Sequence, residues 1–502
     1  MKMGMACMLL AAAVMSARAE LFSFENKYRL SFDALDSLRA ALFDSAAAPF
    51  FALPNDIEPA APPAVRYAAD GQVLRAGVFI RSTGDLDDAA FHPNGYAGAR
   101  IDYSSRYLSA AVQCDVHSDE RSPVDDFADS LADIRTEQFV SGAEHISGTG
   151  SMDFNFPTGY LRLNARPATL AIGKFKLRWG PGYKGTLAQS GAALSPFYWY
   201  HLQVAMGNAL RAQCYLAQFD DEFLFPDSTG ATPDAPGRYG AGQRVDMRLG
   251  RHVQIGLYEL VNFWGGNLLS RYANPVQVYY FSNIAGGPAE GRTNIMGGGD
   301  LSVVAGPWRW YGEFLNDDIT VFDHNRSPNK FAFQAGSVCY GKSILREVGA
   351  EYTHVAWGVY THWYPGLNRH VYWNEPRGWP WGNDQDVWSA HILMQPRDHL
   401  RLYGELAWWI KGDGTLDLYH WDYFYAHNKT PAPGHGDNQG GFQDYAKDRH
   451  LVSLALQADW RPLNYLDIGA IYQPAFADGK MDHFARVYME FDVPMIWNAQ
   501  TR

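Results

Sequence analysis

Asp317 and Asp318 stand in tandem, and paired carboxyl groups are what acid–base cleavage of a glycosidic bond requires. That chemistry needs the two groups roughly 5–9 Å apart across a substrate, whereas neighbours on a strand point to opposite faces. Ser190 and His201 could serve a hydrolase as nucleophile and base, but no motif around either marks it for that role. His354, His362 and His370 recur at intervals of eight, a spacing foreign to metal-binding helices. None of these sets makes an enzyme. The expectation is a non-enzymatic protein with no cofactor and no metal.

Recognition chemistry is better represented. One long segment carries His362, Trp363, Tyr364, Arg369, Tyr372, Trp373, Asn374, Arg377, Trp379, Trp381 and Asp384. A second carries Tyr419, His420, Trp421, Tyr423, Tyr425, His427 and Asn428. Aromatic faces stack on the C–H surfaces of sugars while amides, carboxylates and indole N–H groups read hydroxyls. One exposed ring contributes about 1 kcal/mol, so several must act along a chain. Arg369 and Arg377 would suit an acidic polysaccharide, because guanidinium matches carboxylate geometry. The same rings also suit an aromatic girdle at a membrane interface with ordinary loop packing.

The elements that must position these segments follow from composition and periodicity. Lys and Arg total 42 against 54 Asp and Glu, a formal net charge of −12, which excludes the basic stripe a nucleic-acid binder needs. Four cysteines in 502 residues exclude a disulfide framework. Residues 1–19 read as a secretory signal peptide: Lys2 is the positive end, Met5 to Met15 the apolar run, and Ala17-Arg18-Ala19 the cleavage site. No later run reaches 18 apolar residues, so membrane-spanning helices are not expected.

Alternation points instead to a barrel. Strands are expected at 72–82, 97–104, 107–117, 158–165, 168–178, 199–206, 209–219, 242–249 and 251–263. Nine more follow at 294–305, 307–318, 329–340, 344–357, 385–396, 398–412, 449–460, 464–475 and 482–492. Tight connections such as Gly250, Gly306 and Arg397 alternate with long ones such as 118–157, 264–293, 358–384 and 413–448. An even number of about 18 strands, with short turns on one side and long loops on the other, is the pattern of a bacterial outer-membrane β-barrel. The expected fold class is all-β, a transmembrane antiparallel barrel spanning 72–502.

Each strand sorts its side chains. Leu400, Leu402, Leu406, Trp408 and Ile410 share one face, and Arg401, Tyr403 and Glu405 the other. Trp308, Trp310 and Phe314 oppose Arg309, Glu313 and Asp317; Val245, Met247 and Leu249 oppose Arg244, Asp246 and Arg248; Leu210 and Ala212 oppose Arg211. The polar set is expected to face the lumen. Cys114, Cys214 and Cys339 fall on the apolar face and read as small lipid-facing residues. Glu259 breaks the rule, standing in line with Val253, Ile255 and Leu257. Residues 20–71 do not alternate: Ser31 can cap a helix over Phe32, Leu35, Leu38 and Leu42, and Pro59, Pro62 and Pro63 stiffen a linker. That segment is expected in the periplasm.

The run Gly173-Lys174-Phe175-Lys176-Leu177-Arg178-Trp179-Gly180-Pro181-Gly182-Tyr183-Lys184-Gly185-Thr186-Leu187, continuing to Gln189-Ser190-Gly191-Ala192, resembles the Trp-Gly-Pro-Gly stretch of the Wzi capsule-assembly family of outer-membrane proteins. Tyr311-Gly312-Glu313-Phe314-Leu315-Asn316-Asp317-Asp318 is similar to a barrel strand of that family. The resemblance implies an 18-stranded barrel with an N-terminal helical part, whose outer loops close the lumen and hold surface polysaccharide. Physically, Pro181 cannot donate to a ladder and Gly180 and Gly182 permit unusual turns, so the chain can fold back from the wall into the lumen. Candidate polysaccharide contacts are Arg178, Trp179, Tyr183, Trp363, Tyr364, Arg369, Trp373, Arg377, Trp379, Trp381, Trp421 and Tyr423. Expected partners are outer-membrane lipid, surface polysaccharide and, during biogenesis, the barrel-assembly machinery. A diffusion channel for small solutes is the alternative function, since a lumen lined with both signs of charge suits a pore as well.

Overall fold

A computed structural model describes residues 65–69, 72–86, 91–117, 153–165, 167–175, 177–190, 197–207, 209–219, 237–265, 268–274, 277–281, 293–318, 330–341, 343–361, 369–372, 375–412, 449–463, 465–477, 480–492 and 497–500. The expected signal peptide and N-terminal helix lie outside the described residues, as do Trp363, Tyr364, Trp373, Trp421 and Tyr423.

Strands dominate the described chain. They are β1 (Val65–Ala69), β2 (Gln72–Leu86), β3 (Phe91–Ser104), β4 (Leu108–His117), β5 (Asp153–Ala165), β6 (Ala168–Phe175), β7 (Phe197–Met206) and β8 (Leu210–Phe219). Then come β9 (Arg238–Leu249), β10 (Val253–Trp264), the short helix α1 (Leu269–Tyr272), β11 (Thr293–Ala305), β12 (Trp308–Asp318), β13 (Lys330–Tyr340) and β14 (Leu345–Val355). A two-residue ladder joins β15 (Val371–Tyr372) to β16 (Glu375–Pro376). The chain continues through β17 (Gln385–Arg397), β18 (Leu400–Lys411), β19 (Arg449–Leu463), β20 (Leu466–Ala477), β21 (Lys480–Asp492) and β22 (Trp497–Gln500).

All but β15 and β16 belong to one 20-stranded sheet. From β2 onward each long strand pairs antiparallel with the next in sequence, β14 passing directly to β17. β2 also pairs antiparallel with β21, from Phe79↔Asp492 to Leu86↔Ala485. Gly250 and Gly306 reverse the chain between β9 and β10 and between β11 and β12 at φ 66° and 57°, a conformation that costs glycine little. Every one of the strands expected from alternation has a counterpart in this sheet.

Two strands of this sheet were not expected. Val65–Ala69 lies in the segment read as a linker, yet it pairs antiparallel with β2. Trp497–Gln500, beyond the last expected strand at 482–492, pairs parallel with β1. Neither is long enough to show a two-residue period, and their pairing joins residues at opposite ends of the chain.

The sheet buries the face that a water-soluble protein would expose. Arg211, Arg244, Asp246, Asp300, Glu313, Asp317, Glu351, Arg401 and Glu405 are all at most 8% exposed. Arg248 and Arg309 are half-buried. On the opposite face Leu257 is 63% exposed, Leu406 54%, Val487 54% and Trp388 52%. Apolar patches on soluble monomers rarely exceed a few hundred Å². Here the bare apolar residues recur on nearly every strand of the sheet, which is the arrangement of a wall facing lipid.

Candidate functional site

The covered face holds carboxylates in register with one another, and they bind backbone. Glu313 on β12 accepts the N–H groups of Leu187 and Ala188, each at 3.0 Å, and the Tyr258 hydroxyl at 3.1 Å. Glu351 on β14 accepts the Tyr183 and Lys184 N–H groups and the Tyr311 hydroxyl, the last at 2.7 Å. Arg309 donates to the Pro181 carbonyl at 3.0 Å. The Trp-Gly-Pro-Gly segment, residues 177–190, is therefore laid against β12 and β14 by its main chain. A segment without a ladder must satisfy its buried amides elsewhere, and wall carboxylates supply the acceptors.

The glycines of this segment are required by crowding. A Cβ on Gly185 would lie 2.5 Å from Pro380 Cδ and 2.9 Å from Trp379 Cε3. One on Gly182 would run into the Gln334 side chain.

Lys184 is the segment's charged contact. Its ammonium pairs with Glu405 and sits 5.2 Å and 5.0 Å from the Trp381 and Trp409 ring centroids. Tyr183 stacks on His391 with centroids 3.7 Å apart and planes within 7°. His391 in turn bonds Glu347 at 2.8 Å. Arg178 donates to the Gly182 carbonyl, and burial together with the nearby Arg309 cation lowers its pKa from the ordinary value.

A second inner layer covers the first. Tyr360 adopts φ 70°, a left-handed conformation costing a tyrosine about 1–3 kcal/mol. Three hydrogen bonds hold it there. Its N–H donates to Asp317 at 2.7 Å, its hydroxyl donates to the Leu187 carbonyl at 2.8 Å, and the same oxygen accepts the Trp379 N–H at 2.9 Å. Burial raises the Tyr360 phenol well above its usual pKa, so it stays a donor. Arg377 reaches Asn262 at 2.8 Å, Gln189 at 2.9 Å and the Tyr215 hydroxyl at 2.7 Å, while its cation lies 4.2 Å from the Phe219 ring centroid. His370 contacts the Ala188 carbonyl at 2.8 Å and Asn262 at 3.3 Å. Burial, then the Arg377 charge, hold its pKa well below the usual 6.5.

The residues singled out from sequence fall into distinct places. Arg178, Trp179, Tyr183, Arg369, Arg377, Trp379 and Trp381 all come together inside the sheet. Trp179, Trp379 and Trp381 are 2%, 0% and 1% exposed, their faces covered by protein. Arg369 is buried as well, and its carbonyl accepts from Arg238 at 3.3 Å. Along the wall, Arg211, Asp246, Arg244 and Asp300 form a continuous chain of ion pairs. The described members of the remaining sets have other partners. Asp317 is spent on Tyr360, Ser190 donates its N–H to the Arg377 carbonyl, His201 faces Gln213 at 3.3 Å and His354 faces Asp386 at 2.8 Å.

Several contributors were not singled out as site residues from the sequence: Tyr258, Asp300, Glu351, Tyr360, Lys184 and His370, the last weighed only for its spacing from His354 and His362. Tyr258, Asp300 and Glu351 carried a legible signal, standing on the polar side of their strands. Tyr360 and His370 did not, because Asp317, Leu187 and Ala188, which they hold, lie 43 to 182 residues away.

No protein-family model matches the chain, and no curated protein matches it by sequence. Solved structures do resemble it. One is Wzi of Escherichia coli, described as an outer-membrane protein involved in group 1 capsule assembly and as a carbohydrate-binding β-barrel, with a TM-score of 0.53 and 14% identity over 83% of this chain and 84% of that one. Others are OccD3 (OpdP) of Pseudomonas aeruginosa, with a TM-score of 0.47 and 10% identity over 87% and 95%, and the outer-membrane protein OprD of the same organism, with 0.44 and 11% over 86% and 97%. The likeness to Wzi shows that this chain has an all-β fold of the kind found in Gram-negative outer-membrane β-barrel proteins.

Proposed function

We propose that the chain is a non-enzymatic outer-membrane β-barrel that transports or binds polar solutes. In this reading β2 to β14 and β17 to β21 form a closed cylinder of 18 strands, with the N-terminal segment in the periplasm. The observation that carries it is the inversion of polarity: charged side chains of both signs are buried on one face and aliphatic and aromatic ones are bare on the other. Such a wall suits lipid outside and water or polar solute inside. Lipid and the barrel-assembly machinery are the general partners such a fold requires.

Two finer forms are open to one experiment. A diffusion channel for small polar solutes is favoured by the Arg211–Asp246–Arg244–Asp300 chain, which lines the wall with alternating charge. Holding of surface polysaccharide, the Wzi-like form, is favoured by the two inner layers that fill part of the interior, and by the carbohydrate binding described for the Escherichia coli protein. In that form Trp179, Trp379, Trp381 and Arg377 brace the inner layers. Trp363, Tyr364, Trp373, Trp421 and Tyr423 are then the rings that meet the glycan.

Purified protein, shown to be folded by its heat-modifiable mobility on a gel, decides between them in a planar bilayer. Stable stepwise conductance establishes the channel form. A silent bilayer with retained glycan binding, lost when Trp363, Trp373 and Trp421 are replaced by Ala, establishes the holding form. Recovery of the native protein from the soluble periplasm would defeat both.

A further inference from the structure

Glu259 stands on the apolar side of β10, in line with Val253, Ile255 and Leu257. A carboxylate facing hydrocarbon costs several kcal/mol unless it is paired. The chain that follows β10 resolves the conflict. The N–H groups of Tyr279 and Tyr280 donate to Glu259 at 2.7 Å each. Gln243, the cross-strand neighbour of Glu259, donates at 2.9 Å both to Glu259 and to the Gln277 carbonyl. Gly297 is its neighbour on β11 and leaves room on that side.

Residues 268–274 and 277–281 are therefore folded down over the outside of the sheet. Ala241, Val261 and Phe263 all belong to the apolar side, yet all are fully buried, packed with Leu268, Tyr272 and Tyr279. Phe263 and Tyr272 have centroids 5.0 Å apart, and Tyr272 and Tyr279 5.7 Å. What this strap presents outward is again apolar: Val278 is 46% exposed, Tyr280 58% and Phe281 65%. Leu257, two residues along β10 from Glu259, is bare wall.

We propose that this strap is an external membrane anchor, with Val278, Tyr280 and Phe281 seated in the interfacial lipid of the outer leaflet. The proposal rests on the membrane-barrel reading. Lipid is the occupant because these residues continue the bare wall surface on the same side of the sheet. Glu259 and Gln243 satisfy strap backbone that would be forbidden at this depth if it stayed unpaired. Tyr and Phe are also the side chains that settle at a bilayer interface. Glu259 acts as the clasp.

The test places a nitroxide on Phe281→Cys in full-length protein reconstituted in phosphatidylcholine vesicles, with Cys7, Cys114, Cys214 and Cys339 changed to Ser. Leu257→Cys serves as a wall control and Arg106→Cys as a turn control. The expected result is collision with dissolved oxygen exceeding collision with a water-soluble nickel chelate, as at Leu257 and unlike Arg106. Adding Glu259→Ala is expected to raise label mobility at Phe281 while leaving Leu257 unchanged. Nickel accessibility at Phe281 equal to that at Arg106 overturns the proposal. Shielding from both reagents overturns it in favour of a protein cover, and line broadening relieved by tenfold dilution with unlabelled protein overturns it in favour of a second copy. A water-exposed Leu257 label would remove the barrel reading itself, and the proposal with it.

Discussion

The ammonium of Lys184 and the carboxylate of Glu405 are paired inside the sheet, with side chains 2% and 1% exposed, although they stand 221 positions apart in sequence. One belongs to an irregular segment and the other to the wall. Two Trp rings flank the cation. A buried pair of this kind is weak evidence of net stability, but removing one partner strands the other's charge. The pair therefore works as a register pin, fixing where residues 177–190 lie along β18.

Glu405→Ala should release that pin without dismantling the wall. Taking the Glu405 carboxylate from the buried Lys184 ammonium costs about 3–5 kcal/mol, which residues 177–190 can avoid by leaving the interior. Protease cleavage within 177–190 is expected to rise while heat-modifiable mobility is retained. The double variant Lys184→Met with Glu405→Leu should restore much of the protection. Unchanged cleavage in the single variant would show that the pair holds nothing.

Glu313→Ala removes two backbone acceptor contacts and one from Tyr258. Leaving a buried N–H without its acceptor costs about 1–3 kcal/mol. Amide exchange at Leu187 and Ala188 should accelerate by roughly tenfold or more, with little change in strands remote from β12. In a planar bilayer the variant should conduct more, or more noisily, than the parent protein.

His370 makes the inner layer sensitive to acid. Its pKa is held well below 6.5 when packed and returns to that value once the segment is released. Below about pH 6.5 the released form takes up a proton that the packed form refuses, so packing weakens as pH falls and is at full strength above that value. The loss reaches at most tenfold in the packing equilibrium per pH unit. Exchange at Ala188 followed from pH 7.5 to 5 should show this, and His370→Asn should flatten it.

Leu257→Arg probes the wall. Leu257 is bare on the apolar side, and a cation there costs about 2–4 kcal/mol at the bilayer midplane and less towards an interface. Folding yield into vesicles should fall. Val245→Asn, a milder change on the same side, should cost less. Equal yields for parent and Leu257→Arg would place that face in water.

Much of the sheet was legible because a strand records its two environments in a period of two. Arg401 and Glu405 against Leu402 and Leu406 announce the covered and bare sides without any partner being known. The ends of the sheet were not legible, since β1 and β22 are too short to show a period and meet only through the closing of a very long chain. The buried fate of Trp379 and Trp381 was equally hidden. A ring that stacks on a sugar and a ring that packs under a loop have the same local sequence.

Alternation alone determined which side chains face each side of the wall, because that property depends on neighbours two residues away. Tertiary structure decided what each side touches. Glu313 meets Leu187 across 126 positions, Tyr360 meets the same residue across 173, and Glu259 meets a strap twenty residues ahead. Buried amides must find acceptors wherever the fold brings them. No period in the sequence encodes a partner that only the paired arrangement of many strands supplies.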